Sequence, residues 1–181
     1  MRIRNAERKT IRCLCAVWLV VGAAASSATA QTEEKKKPAR KDIYNPKADA
    51  KADIKAATAK AKKEGKHVLL MFGGNWCTWC HALHDLFEKD KDIAKVLADG
   101  YVVVLVDSRS NEDLDKEYGE PYQHGFPVLV VLDGDGKRLH IQESVSLEKA
   151  DKSTAHEPAK VLEFLKKWAP KPKAAATQPS R

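Results

Sequence analysis

After His67, the residues Val68-Leu69-Leu70-Met71-Phe72 are apolar without interruption; Gly73-Gly74-Asn75 closes the run, and Trp76-Cys77-Thr78-Trp79-Cys80 follows at once. A run of strand length with no polar alternation is the pattern of a strand covered on both faces. Covering both faces requires helices on either side of a sheet, which restricts the chain to the α/β class. From Thr78 onward, Leu83, Leu86 and Phe87 recur at helical spacing. Two cysteines two residues apart therefore fall where a buried strand ends and a helix begins.

That placement has chemical consequences. The first turn of a helix presents unpaired backbone N–H groups and the positive end of the helix dipole. Both favour a thiolate over a thiol, so Cys77 is expected to ionise below the free value of about 8.5 and to act as nucleophile. Cys80, one turn further in, is the expected resolving thiol. A disulfide closing so short a loop constrains the unfolded chain very little, so the pair is read as chemical and not structural.

The remaining elements alternate. Residues 47–64 are Ala- and Lys-rich, with Ile54, Ala57 and Ala61 on one helical face and Gly65 as the stop. Ile93, Val96 and Leu97 continue the helical pattern after Lys89-Asp90-Lys91, and residues 101–106 are a second apolar strand. Ser110 is a candidate cap for a short helix ending at Tyr118. Residues 128–132 are a third strand, Asp133-Gly134-Asp135-Gly136 a hairpin turn, and Leu139 and Ile141 alternate in the returning strand. Val161, Leu162, Leu165 and Trp168 mark a closing helix, with Trp168 expected in the core. Two strand–helix–strand crossovers followed by a hairpin imply a mixed sheet with helices on both faces.

The N-terminus is read separately. Arg2, Arg4, Arg8, Lys9 and Arg12 precede an apolar stretch at 14–25, and Ala28-Thr29-Ala30 supplies small residues. This is the layout of a secretory signal peptide over residues 1–30 with cleavage after Ala30, the apolar stretch being shorter than the roughly 20 residues of a membrane span. Without Glu7 and those five basic residues, the chain's 32 basic and 25 acidic residues become 27 and 24, a balance of +3 in place of +7. The high pI thus belongs largely to the leader and gives no support to a nucleic-acid partner. Residues 31–46 are charged and aperiodic, a flexible lead-in; residues 170–181 are Pro/Ala/Lys-rich and expected to be a disordered tail.

Gly125-Phe126-Pro127 stands directly before the third strand, where a proline is tolerated because it owes no ladder hydrogen bond. Taken together, W-C-x-x-C after a hydrophobic strand and G-F-P leading into V-L-V-V-L-D-G-D-G resemble the thioredoxin superfamily over about residues 50–169, nearly all of a folded domain at 47–169, and most closely its exported members with a W-C-x-W-C-H site. The resemblance implies a three-layer α/β/α sandwich and a thiol–disulfide oxidoreductase working through a Cys77–Cys80 redox disulfide. It further implies that Pro127 is cis and faces the pair, with Phe126 and Pro127 binding substrate; Trp76 is the further substrate-binding candidate, the alternative being that it packs the rim of the site. Disulfide- or thiol-bearing exported proteins are the implied partners, with a membrane electron donor behind them, a periplasmic or otherwise exported location, no cofactor and a monomeric state. The sequence departs from thioredoxins proper at Met71, which stands where they carry a buried aspartate, and at Thr78-Trp79, where they carry Gly-Pro.

A different class uses the same residues as ligands. Cys77-Thr78-Trp79-Cys80-His81 also spells the attachment motif of a c-type haem, and Cys77/His81 and Cys80/His84 are each four apart on one helix, a spacing for copper or zinc. The apolar strand ahead and the proline-led strand behind argue against a small helical haem protein. His124, two residues before Phe126, is a further candidate neighbour of Cys77, and the Asp133/Asp135 pair reads as a turn.

Overall fold

A computed structural model describes residues 40–171, Lys152 excepted. The expected signal peptide and most of the expected tail lie outside the described residues, and among the described residues no helix is long and apolar enough to cross a membrane. Four strands form one mixed sheet in the order β2-β1-β3-β4: β1 (His67–Gly73), β2 (Tyr101–Asp107), β3 (Val128–Leu132) and β4 (Arg138–Glu143). The helices are α1 (Ala50–Glu64), α2 (Thr78–Lys89), α3 (Lys91–Gly100), α4 (Asp113–Glu117) and α5 (Pro158–Trp168).

β1 is central, as its composition requires. Its side chains alternate between two cores. Leu69 and Met71 join Leu129 and Val131 of β3 beneath α2, α3 and α5, through Leu83, Phe87, Ile93, Leu97, Val161, Phe164 and Leu165. Val68, Leu70 and Phe72 join Val128, Val130 and Leu132 beneath α1, through Ile54, Ala57 and Ala61, and Leu114 of α4. The result is the expected three-layer α/β/α sandwich with a mixed sheet. Local signals set the ends of α1, which starts at Ala50 where Asp49 caps the Ala52 N–H. It stops at Gly65, whose φ of 68° is left-handed.

Only the first of the two expected crossovers exists. β2 runs parallel to β1, but β3 is antiparallel to β1, with Val128 opposite Phe72. β2 ends and β3 begins at the same end of the sheet, so the link between them never has to traverse it. The five residues of α4 and a 3-10 turn at Pro121–His124 suffice. Ser110 is not a cap: its N–H donates to Asp107 Oδ1, and α4 begins after Glu112 with no side-chain cap. Trp168 is half-buried, packed against the edge of the α2-side core with its ring stacked on His140 at 4.4 Å.

The flexible lead-in is also corrected over its last residues. Ile43 and Tyr44 pack against the α2-side core, and Tyr44 is 3% exposed. Their backbone is held by a residue that sits beside the cysteines.

Candidate active site

Cys77 is the N-cap of α2, and its Sγ accepts the Cys80 N–H at 3.0 Å. Cys80 lies within the first turn, and the two sulfurs form a disulfide with Cα atoms 5.2 Å apart. Gly74 O accepts the Cys77 N–H at 2.9 Å and closes the turn between β1 and α2. Both cysteines belong to the α2-side core, Cys77 with 5% and Cys80 with none of its surface exposed. Gly73 has no room for a side chain: the Cys80 sulfur and the Tyr44 hydroxyl oxygen both lie within 2.6 Å of where its Cβ would be.

Asn75, which the sequence marks only as a strand breaker, is a clamp. Its Oδ1 accepts the N–H groups of Ile43 and Tyr44 at 3.0 and 2.9 Å, and its Nδ2 donates to Tyr44 O at 2.9 Å. Its own carbonyl lies 3.1 Å from His81 Nε2. A carbonyl only accepts, so Nε2 carries the proton. Replacing Asn75→Ala strands three backbone groups in a partly buried place and is expected to cost about 1–3 kcal/mol. Urea unfolding checks this; a variant as stable as the parent would mean that the clamp contributes nothing.

An aromatic series leads from the core to the rim. Phe72 meets Tyr122 edge-on at 5.4 Å, Tyr122 meets Phe126 at 5.2 Å, and Phe126 meets Trp76 at 5.5 Å. Trp76 ends the series 45% exposed, with the Arg109 guanidinium 4.6 Å above its ring. The Phe126–Pro127 peptide is cis, and the pairing of Val128 with Phe72 brings this loop to the end of β1 that carries the cysteines. On the other side, Trp79 meets the ring of His156 edge-on at 5.5 Å. His156 is 3% exposed and neither ring nitrogen has a partner among the described residues; burial pushes its pKa down to about 4.

The structure thus brings together Cys77, Cys80, Trp76 and Phe126. His124 is exposed on the 3-10 turn and joins no hydrogen bond with the pair. His81 is buried and turned toward Asn75. His84 gathers with Asp85 and Glu88, their ligand atoms within 4.8 Å, and not with Cys80. Sequence reasoning missed Tyr44, Arg109 and His156. A faint signal existed for Tyr44, an apolar pair with Ile43 in an otherwise charged stretch; Arg109 and His156 carry none.

Comparison with known proteins agrees with this geometry. A family model described as thioredoxin-like matches residues 49–134. A disulphide isomerase from Xylella fastidiosa Temecula1 superposes with a TM-score of 0.61 at 33% identity, over 69% of this chain and 95% of that one. Spermatogenesis-associated protein 20 of Mus musculus is 36% identical over 59 residues, 33% of this chain but only 8% of that protein. The chain therefore spans a small part of the length of that curated relative. It belongs to the thioredoxin-like family. A cysteine pair closed as a disulfide stands at the head of α2, the arrangement that thiol–disulfide exchange requires.

Proposed function

We propose that the protein exchanges disulfides with exported protein substrates, with Cys77 attacking and Cys80 resolving. The observation that carries this is the N-cap geometry: Cys77 Sγ accepts the Cys80 N–H at the positive end of a 12-residue helix. A hydrogen bond and a dipole aimed at one sulfur favour its thiolate. In the reducing direction the Cys77 thiolate attacks a substrate disulfide, forms a mixed disulfide and releases the substrate's other sulfur as a thiolate. Cys80 then loses its proton and attacks Cys77 Sγ, closing the Cys77–Cys80 bond and expelling the second substrate thiolate. Two electrons pass to the substrate; the oxidising direction is the reverse.

Trp76 and the Phe126–Pro127 loop are read as the substrate seat, the loop lending its backbone to an extended segment. Trp76 supports that reading as an exposed aromatic immediately before Cys77. Export rests on the basic start, the apolar stretch and Ala28-Thr29-Ala30, and an exported reductant would draw its electrons from a membrane donor. The buried His81, with Nε2 engaged at Asn75, favours exchange over the haem and metal readings.

The test is equilibration of the protein in glutathione buffers, with thiols counted by alkylation and intact mass. The Cys77–Cys80 pair is expected to titrate as one two-electron couple. A value near about −270 mV assigns a reductant and one near about −120 mV an oxidant. A pair that stays oxidised at every buffer ratio, and exchanges with no protein disulfide, would sink the reading.

A further inference from the structure

We propose that the Tyr44 hydroxyl is the positioning group of the resolving thiol, donating a hydrogen bond to the Cys80 sulfur once the disulfide is open. The inference rests on the exchange reading above and deepens it, because an exchange site must stabilise two sulfurs in turn and the head of α2 serves only Cys77.

Three observations carry it. The Tyr44 oxygen and the Cys80 sulfur are neighbours across the bare face of Gly73, both occupying the space a side chain there would need. The hydroxyl is buried and has no hydrogen-bond partner among the described residues. An unpaired buried hydroxyl is destabilising, and such a group is explained when a second state of the protein supplies its partner. Finally, the Tyr44 backbone is held by two hydrogen bonds with the Asn75 side chain, and that of Ile43 beside it by a third, two residues before Cys77, so its placement is built and not incidental.

The chemistry of the surroundings assigns the direction of the bond. Met71 puts no acid on the α2-side face of β1. Burial, and behind it the negative charge of Asp107 at the end of β2, push the Tyr44 pKa far up, so the hydroxyl keeps its proton and acts as donor. No other charged group acts on it appreciably among the described residues. A donor beside sulfur favours the thiolate. Opening the Cys77–Cys80 bond makes Cys80 a thiolate in the oxidising direction, and resolution requires that thiolate in the reducing direction. In both, the Tyr44 proton stays on oxygen and only the hydrogen bond forms or breaks.

Cys77→Ser leaves Cys80 as the single thiol of the described domain, and its ionisation can be followed by thiolate absorbance. Adding Tyr44→Phe is expected to raise the Cys80 pKa by about one unit, the tenfold effect of one hydrogen bond to a charged group. With both cysteines present, Tyr44→Phe should slow resolution of a mixed disulfide at Cys77 about tenfold, without lowering the unfolding temperature. A Cys80 pKa indifferent to Tyr44→Phe would overturn the proposal. Should Tyr44→Phe fold poorly, the unaltered protein carrying ring-labelled tyrosine gives the second measurement. The Tyr44 Cζ resonance must move on reduction, and an unmoved resonance overturns the proposal equally. Unaltered protein that fails to exchange disulfides would instead overturn the functional reading, so the two failures are distinct.

Discussion

Cys77→Ser is expected to reduce disulfide exchange to the background rate, a loss of at least about a thousandfold, while Cys80→Ser should still attack and then stall. The difference follows from where the sulfurs sit. Cys77 is the N-cap, accepts the Cys80 N–H and keeps 5% of its surface open, whereas Cys80 is wholly buried beneath it. With Cys77 gone, the remaining thiol has neither the helix-end stabilisation nor the access. With Cys80 gone, the mixed disulfide loses a neighbouring attacker already held in place, and such placement is worth effective concentrations of about 10⁵ M and above. Intact-mass analysis after incubation with a disulfide-bearing protein separates the cases. Cys80→Ser should accumulate a covalent adduct and Cys77→Ser none. An adduct on Cys77→Ser at the parent's rate would show that Cys80 is the attacking residue and reverse the assigned roles.

The second large effect concerns acid stability. His156 is buried against Trp79 with both ring nitrogens unpartnered among the described residues, and burial lowers its pKa from 6.5 to about 4 on folding. Above pH 6.5 the ring is neutral in both folded and unfolded chains, and the stability of the fold is complete. As the pH drops below 6.5 the unfolded chain takes up a proton that the folded one refuses. Stability then falls by about 1.4 kcal/mol per pH unit until the folded pKa is reached, about 3 kcal/mol in all. Urea unfolding at pH 7 and pH 4 should show that loss beyond what the carboxylates contribute, and His156→Phe should abolish it, since the phenyl ring fills the same space without titrating. An unchanged pH dependence in His156→Phe would remove His156 from the account. Because His156 packs on Trp79, one of the two residues between the cysteines, the same protonation should loosen the cover of the site before the sheet gives way.

How much of this was legible in the sequence depended on distance along the chain. The unbroken apolar run of β1, the helical spacing of Leu83 and Phe87, and Gly65 as a stop are local patterns, and they set the sandwich and the helix head under Cys77. The orientation of β3 was not legible. Periodicity shows that residues 128–132 form a strand but not which way it runs; that follows from the shortness of α4, whose ends give weak signals. Tyr44 was hidden for a similar reason. Its placement comes from Asn75, a partner 31 residues away, and a charged neighbourhood masked the one aromatic that enters the core. His156 sits in a polar stretch where only the tertiary contact with Trp79 marks it out.

The strand order β2-β1-β3-β4 also governs when the site can exist. β1 and the cysteines lie well before β3 in the chain, yet β3 is the strand that pairs with β1 and carries the Phe126–Pro127 loop to the site. Residues 128–132 must pair with β1 before the Phe126–Pro127 loop reaches the end of that strand where Cys77 and Cys80 sit. Completing the surroundings of the pair therefore takes a long-range strand pairing in addition to the local strand and helix signals. A chain released before β3 would carry the cysteine motif without the enclosure that tunes it.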